Sequence, residues 1–291
     1  MRLVHLTDPH LTALPERRPP LSAGKRLLSW LSWQRRRRHV HRPERLAALV
    51  ASLRAEAPDA WAITGDLCQT GTRGEVRAAR RWLEELDTPD RMLLVPGNHD
   101  VFARDSAQLV RSQWAPFLHA DDQASGRPAV RRFGDVVLIG LDSAVATPVT
   151  RATGRLGDAL RAGLAAELQR HRGLARIVLL HHPPLPGVTK ARKALVDADR
   201  LAALLRDHGA AFVLHGHLHR NAEWYGLAAT GDTAVYCTAS ASATAGAHGA
   251  SARIFDIERV DTGFRIGMRL LQLDAGDTLR AVATRSWLSP G

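Results

Sequence analysis

The sequence contains few of the residues that mark disulfide-rich or membrane-spanning proteins. It has two cysteines, Cys68 and Cys237, and neither lies beside another cysteine in a metal-binding pattern. It has no apolar run of the roughly 18 residues that a membrane-spanning helix needs. The first ten residues, MRLVHLTDPH, place histidine and aspartate where a signal peptide requires an apolar stretch. We therefore expect two reduced thiols, no disulfide framework and a cytoplasmic protein.

Acidic residues are also scarce, with 29 Asp and Glu against 40 Lys and Arg and a net charge of +11. This excess is local, because residues 16–45 hold ten Lys or Arg and two Glu. That segment has a net charge of +8 and leaves +3 for the rest of the chain. A local basic cluster indicates an anionic partner, which could be a phosphate-rich substrate, an anionic membrane or a nucleic acid.

Short apolar stretches alternate with segments of helical periodicity over most of the chain. Strands are predicted at residues 2–7, 60–64, 92–95, 131–133, 136–141, 177–180 and 212–214, and helices at 43–56, 73–86, 156–171 and 199–208. Three later strands, at 235–238, 252–258 and 264–273, have no helices between them, so we expect antiparallel pairing there. We predict one domain over residues 1–291, with a basic insert at about 11–42 and an antiparallel segment at about 225–285.

Five of the predicted strands end in Asp, Asn or His. The five sequence blocks are Asp8-x-His10, Gly65-Asp66, Gly97-Asn98-His99-Asp100, His181-His182 and Gly216-His217-x-His219. Ligands gather at the carboxyl ends of strands in α/β sheets, so neighbouring strands would deliver these side chains to one place. Each block alone is a weak signal, whereas all five in this order, each after a strand, are a specific one.

The residue types in these blocks suit a particular kind of metal site. Carboxylates, an amide oxygen and neutral imidazoles bind Mn²⁺, Fe²⁺/Fe³⁺ or Zn²⁺, and the absence of nearby thiolates argues against structural zinc. Seven ligands are too many for one ion that must also bind a substrate, so they fit two ions with a bridging carboxylate. Asp8 and His10 are alternate residues of an extended segment and should point the same way. His217 and His219 could share one face likewise, or be splayed by a turn to reach different ions.

The five blocks resemble those of the calcineurin-like metallophosphoesterases, whose pattern is D-x-H, G-D, G-N-H-[D/E], H and G-H-x-H. The runs GNHD, HHPP and GHLH are similar to those of the bacterial class III cyclic-nucleotide phosphodiesterase branch. The resemblance implies an α/β fold, a four-layer α-β-β-α sandwich of two mixed β-sheets flanked by helices.

The resemblance also implies a role for each site residue. One divalent metal would be held by Asp8, His10, Asp66 and His219. The other would be held by Asp66, Asn98, His181 and His217, with Asp66 as the bridge. His99 would stabilise the transition state or protonate the leaving oxygen, and Asp100 would orient His99 through a hydrogen bond.

The basic insert is open to three interpretations. Residues 21–38 could form a helix with an apolar face of Leu and Trp and with four arginines, residues 35–38, at its end. It could be a lid over an anionic substrate, an anchor on the inner face of an anionic membrane, or a solvated basic loop. We do not expect nucleic acid as the partner, because the aromatic residues are not interleaved with the charges. Candidate substrate-binding residues are Trp30, Trp33, Arg35, Arg36 and His182.

Several functions are consistent with these features. The first is a dinuclear-metal phosphoesterase of phosphodiester or phosphomonoester bonds, with cyclic nucleotides as one candidate substrate, in which a metal-bridging hydroxide attacks phosphorus in line. The second is a membrane-associated pyrophosphohydrolase of the UDP-diacylglucosamine type, or a phospholipid phosphodiesterase. His99 counts against the commonest form of the pyrophosphohydrolase, which has Arg at that position. A nuclease or phosphoprotein phosphatase comes third, and a catalytically inactive scaffold is the alternative of a different class. Strands near the C-terminus could also pair between the subunits of a homodimer.

Overall fold

The computed structural model of the chain describes residues 1–11, 24–118, 127–227 and 233–291. Two six-stranded sheets form its centre. The first has the order β12-β11-β10-β1-β2-β3 and consists of β1 (Arg2–Leu6), β2 (Ala60–Ile63), β3 (Met92–Leu94), β10 (Ser251–Val260), β11 (Gly263–Leu273) and β12 (Leu279–Ser289). The second has the order β4-β5-β6-β7-β9-β8 and consists of β4 (Ala129–Phe133), β5 (Val136–Leu141), β6 (Ala175–Leu180), β7 (Phe212–His215), β8 (Ala222–Trp224) and β9 (Ala234–Cys237).

Helices pack on the outer faces of both sheets, and further helices lie in the insert. They are α1 (Gly24–Ser32), α2 (Arg38–Val40), α3 (Pro43–Ala55), α4 (Arg73–Leu86), α5 (Arg104–Gln113), α6 (Ala115–Leu118), α7 (Gly157–Arg170) and α8 (Ala198–His208). A π-helical turn over Trp33–Arg37 joins α1 to α2. None of the helices within the described ranges is long and apolar enough to cross a membrane.

Three apolar clusters separate the layers. One lies between the first sheet and α3 and α4, and another lies between the second sheet and α7 and α8. The third lies between the sheets, where the rings of Phe212 and Phe255 stack with centroids 4.3 Å apart. In β5, Leu138 faces the cluster between the sheets while Val137 and Ile139 face α7, so the strand is apolar on both sides. The predicted four-layer α/β sandwich is confirmed.

The prediction for the last part of the chain is partly wrong. Strands β10, β11 and β12 are antiparallel as expected, but β9 pairs with β7 in parallel. After β7 the chain first forms β8, which lies beyond β9 at the edge of the sheet. It then reverses into β9, which pairs antiparallel with β8 and therefore runs in the same direction as β7. The sequence also did not predict α5, α6, β8 and β12 as separate elements, and residues 12–23 of the insert lie outside the described residues.

The start of α4 is tied to the loop that follows β2. Thr72 and Glu75 form a capping box, in which each side chain bonds to the other residue's backbone amide. The buried Glu75 carboxylate also accepts hydrogen bonds from the amides of Gln69 and Thr70, at 2.7 and 3.1 Å. One carboxylate therefore orders both the first turn of the helix and the segment just after Asp66.

Candidate metal centre

The structure brings all seven predicted ligands together where strands of both sheets end. In one group the possible ligand atoms lie within 4.8 Å of one another; its members are Asp8, His10, Asp66 and His219. A second group meets the same criterion; its members are Asp66, His181 and His217. Asn98 adjoins the second group, with its Oδ1 3.2 Å from His181 Nε2. Asp66 is thus common to both groups, and His217 and His219 serve different groups.

Most of these residues have a backbone conformation that side chains rarely adopt. Positive φ values of 44–68° occur at Asp8, His10, Asp66, His217 and His219. The expectation that Asp8 and His10 alternate on an extended segment is therefore wrong, because both have left-handed backbones. Such conformations cost free energy and persist where surrounding contacts enforce them, as at binding sites.

Backbone carbonyls set the direction in which the histidine lone pairs point. The Nδ1 atoms of His10 and His181 lie 3.0 and 2.7 Å from the carbonyl oxygens of Cys68 and Thr64. The Nε2 of His217 lies 3.0 Å from the carbonyl of Lys193. A carbonyl only accepts, so each of these nitrogens carries a proton, and the other ring nitrogen is the one that can bind a metal.

The charges at the centre fit a cation. Burial by itself opposes ionisation of Asp8, but His219 and His181 hold the pKa of its carboxyl well below the ordinary value. Burial also opposes ionisation of Asp66, yet His181 and His99 lower the pKa of that carboxyl. Burial disfavours a charged His181, while Asp66 raises the pKa of the imidazole to about 9. Two buried carboxylates thus attract positive charge to this point, and the donor set suits the divalent metal ions named above.

Two glycines allow the ligand segments to approach closely. A Cβ at Gly97 would lie 2.2 Å from Asp66 Oδ1. A Cβ at Gly216 would lie 1.9 Å from Thr7 Oγ1 and 2.5 Å from Asp8 Oδ2. Any side chain at these positions would displace a ligand carboxylate.

His99 and Asp100 do not form the predicted pair. His99 Nδ1 lies 2.6 Å from the carbonyl of Gln69, so its partner is the backbone. The Asp100 carboxylate accepts hydrogen bonds from the amides of Asp66, Gly97 and Cys68, each at 2.8 Å. The expected hydrogen bond between Asp100 and the His99 ring is therefore wrong. Asp100 instead joins the two backbone segments that carry Asp66 and Asn98, while the His99 ring faces the cavity.

The insert folds over this centre, and we call its residues 24–42 the cap. Lys25 Nζ donates to the carbonyls of Phe102 and Thr147, at 3.1 and 3.2 Å. Arg26 forms an ion pair with Asp105 at 2.9 Å. At the other end, the amide of Arg42 donates to the carbonyl of Ser242. These contacts fit the lid interpretation, while the membrane-anchor interpretation stays a prediction.

A cavity of about 400 Å³ lies between the cap and the ligands. Besides four of the ligands, its wall includes Arg36, Arg37, Val40, His41, His99 and Lys193. Of the candidate substrate-binding residues, Arg36 lines this cavity. Arg35 is exposed, Trp30 is half-buried, and Trp33 and His182 are buried outside the wall.

Sequence reasoning missed two residues of the cap that reach the centre. The Arg37 guanidinium lies 3.0 Å from His99 Nε2 and 3.2 Å from His10 Nε2. His41 is buried, with its ring centroid 4.2 Å from that of His10 and its Nδ1 3.0 Å from Ser242 Oγ. The signal for Arg37 was the arginine run, within which nothing distinguished one member from another. No motif marked His41.

Comparisons with known proteins agree with this geometry. The profile of the family described as calcineurin-like phosphoesterase matches residues 1–221. The chain is 36% identical over 133 residues to a glycerophosphodiester phosphodiesterase of Enterobacter lignolyticus, covering 45% of this chain and 44% of that protein. It is 30% identical over 225 residues to a protein of Rhodococcus erythropolis named a probable cyclic nucleotide phosphodiesterase, covering 75% and 64%. It is 28% identical over 254 residues to a cAMP/cGMP dual specificity phosphodiesterase of Mycobacterium tuberculosis, covering 84% and 70%.

Solved structures support the fold alone. The chain superposes on a purple acid phosphatase from yellow lupin with a TM-score of 0.55 and 11% identity, covering 98% of this chain and 53% of that one. For the sulfate thiohydrolase SoxB of Thermus thermophilus the TM-score is 0.51 and the identity 17%, covering 99% and 56%. The chain spans less than two thirds of the length of the first two sequence relatives, 44% and 64%. The profile match covers most of the chain, and the chain belongs to the calcineurin-like phosphoesterase family.

Proposed function

We propose that the protein is a phosphodiesterase that uses two divalent metal ions bridged by Asp66. The observation that carries this proposal is the pair of ligand groups that share the Asp66 carboxylate. Ions in these groups would supply Lewis-acid activation of water and neutralise charge on the phosphate. The relatives' names support a phosphodiester as the substrate, with cyclic nucleotides first and glycerophosphodiesters second.

The protein's own residues divide the remaining work. The Nδ1–H of His99 donates a hydrogen bond to the Gln69 carbonyl. A proton transferred to the leaving oxygen would therefore come from Nε2. Burial, followed by the charge of Arg37, lowers the pKa of His99 to about 3 in the absence of a substrate. An anionic phosphate beside Arg37 would offset that charge and make protonation of Nε2 easier.

The basic cap favours a second candidate, which is hydrolysis of a pyrophosphate bond in a lipid-linked nucleotide. Such a substrate has more negative charge than a simple diester, and Leu28 on α1 leaves 52% of its surface exposed. Cyclic AMP, a glycerophosphodiester and a nucleotide-linked diacylglycerol, supplied separately, would distinguish the candidates by rate.

The test of the main proposal is turnover of bis-p-nitrophenyl phosphate with added Mn²⁺. We expect activity that a chelator removes and Mn²⁺ restores. Asp66→Asn should lower turnover at least about 100-fold, because loss of groups that merely support metal ligands already costs 10–100-fold. Metal analysis should show less than two ions per chain in that variant. The matched control is Asp199→Asn, an exposed aspartate of α8 that should keep both metals and the rate. Full activity of Asp66→Asn would refute the proposal.

A further inference from the structure

Four of the cationic residues of the cap fall into two groups. Lys25 and Arg26 are occupied by the body of the protein, through carbonyl oxygens and the Asp105 carboxylate. Arg36 and Arg37 instead line the cavity over the ligand groups. The first pair explains how the cap is held, and the second pair needs another explanation.

Arg37 has no carboxylate partner among the residues that the structure describes. Its guanidinium donates hydrogen bonds to the rings of His99 and His10, at 3.0 and 3.2 Å, and both rings are neutral acceptors. A half-buried guanidinium is costly without an anion, so this position is suited to an anionic ligand.

Lys193 adds a third cation from a different part of the chain. It ends the 3₁₀ turn Ala191–Lys193 and lines the same cavity. Its backbone carbonyl holds His217 Nε2 at 3.0 Å, which fixes its main chain beside the ligands. The cavity wall thus carries Arg36, Arg37 and Lys193, and Asp66 is the one carboxylate among the described residues that line it.

We propose that the substrate of this site carries a second phosphate besides the one that is cleaved. Arg37 lies against His99 and contacts the scissile phosphate, whereas Arg36 and Lys193 bind the second phosphate. A cyclic nucleotide or a simple glycerophosphodiester carries one phosphate, which would leave Arg36 and Lys193 without an anionic partner. Among phosphodiesters, the inference therefore favours a substrate with a further phosphate over the two substrates that the relatives' names suggest. The cavity of about 400 Å³ lies in the size range of complete small-molecule sites, so there is room for both groups. This inference rests on the proposed phosphodiesterase function.

The test compares two nucleotides that differ by one phosphate. Binding of AMP and of adenosine 3′,5′-bisphosphate to the Mn²⁺-loaded protein is measured by calorimetry, which does not depend on turnover. We expect the bisphosphate to bind at least about tenfold more tightly. The Arg36→Gln/Lys193→Gln double variant should reduce this ratio to about twofold or less, and Lys193→Gln keeps the carbonyl that holds His217. Arg37→Gln should weaken both nucleotides alike.

The matched control is Arg35→Gln, which removes an exposed arginine of the same run that does not line the cavity. It should keep the full ratio, and metal content is measured for every variant. Equal affinities in the native protein, or a ratio that survives the double variant, would overturn the inference. Absence of bis-p-nitrophenyl phosphate turnover with an intact ratio would instead overturn the proposed function, so the two failures are distinguishable.

Discussion

At the scale of single residues, the centre depends on close contacts that leave no space for larger side chains. Asp66 Oδ1 accepts a hydrogen bond from the amide of His99 at 2.7 Å, while its Oδ2 faces His181 Nε2 at 3.4 Å. Gly97 lies directly against this carboxylate. The position of the Asp66 carboxylate therefore depends both on its hydrogen bonds and on the lack of a side chain at Gly97.

Gly97→Ala should damage the centre without unfolding the protein. The added Cβ would meet Asp66 Oδ1 at 2.2 Å, so the carboxylate must move and the affinity for metal should fall at least about tenfold. Metal titration followed by calorimetry measures this. Gly74→Ala is the control, because it lies in α4 with nothing within 4 Å of the added atom. It should leave metal binding unchanged and stabilise the helix by up to about 1 kcal/mol. Unchanged metal affinity in Gly97→Ala would contradict this account.

Residue types also explain which parts of the centre could be predicted from the sequence. The clustering of the predicted ligands could be expected because each follows a strand and each has a metal-binding side chain. The left-handed backbones of Asp8 and His10 were not, because the same letters would suit an extended segment. The partners of Asp100 were also not predictable, since they are backbone amides of loops whose path depends on the packed sheets. Arg37 and His41 depend on how the cap docks.

At the scale of elements, Glu75 connects the start of α4 to the segment beyond Asp66. Glu75→Ala would leave the amides of Gln69, Thr70 and Thr72 without their buried acceptor. We expect the free energy of unfolding to fall by about 2–4 kcal/mol, because hydrogen bonds to a buried charged group are among the stronger ones. Urea denaturation measures the change.

The control for that experiment is Glu84→Ala in the same helix. Glu84 forms an exposed ion pair with Arg80, whose contribution should be below about 1 kcal/mol. Comparable losses of stability in the two variants would show that Glu75 has no special role.

The cap is held at its first helix by Lys25 and Arg26, so removing both side chains should loosen it. Lys25 also lies over the Phe102 ring, 4.3 Å from its centroid, and that ring stacks on His99. In the Lys25→Ala/Arg26→Ala variant, we expect trypsin to cleave within residues 35–38 at least about fivefold faster, because local opening unfolds the helical backbone of that segment. KM should also rise while metal content stays the same. Arg77→Ala, an exposed change on α4, is the control, and unaltered cleavage in the double variant would refute this role of the cap.

At the scale of the whole molecule, the ligands come from both sheets. Asp8, Asp66 and Asn98 follow strands of the first sheet, while His181 and His217 follow strands of the second. Bound ions would therefore connect the two halves of the sandwich, and binding to the native state alone stabilises it.

Thermal unfolding should depend on metal concentration. At a Mn²⁺ concentration about 100 times the dissociation constant, the stabilisation is about 2.7 kcal/mol. The midpoint of unfolding should then rise by roughly 5 °C or more relative to chelator-treated protein, since each kcal/mol shifts a large domain by about 2–4 °C. Differential scanning calorimetry checks this, and Asp66→Asn should lose most of the shift. A midpoint that is the same with and without metal would contradict the idea that the ions connect the sheets.

The fold as a whole was easier to predict than its closing strands. Alternating helices and apolar strands determine the layers, because each element must bury its apolar face. The parallel entry of β9 depends instead on β8, a three-residue edge strand whose sequence carries little signal. Whether another strand comes between two sheet neighbours along the chain depends on the assembled sheet, so the direction of their pairing cannot be predicted from either strand alone.

The π-helical turn over Trp33–Arg37 makes this segment sensitive to the insertion or deletion of a residue. It accommodates one more residue per turn than an α-helix, which lets Trp33 face the body while Arg36 and Arg37 face the cavity. Deleting one residue there would rotate everything beyond it by about 100° around the helix axis. The shortened chain would still be rich in arginine at this segment, yet its guanidinium groups would point away from the predicted metal ligands. In this segment, insertions and deletions should therefore be tolerated less well than substitutions.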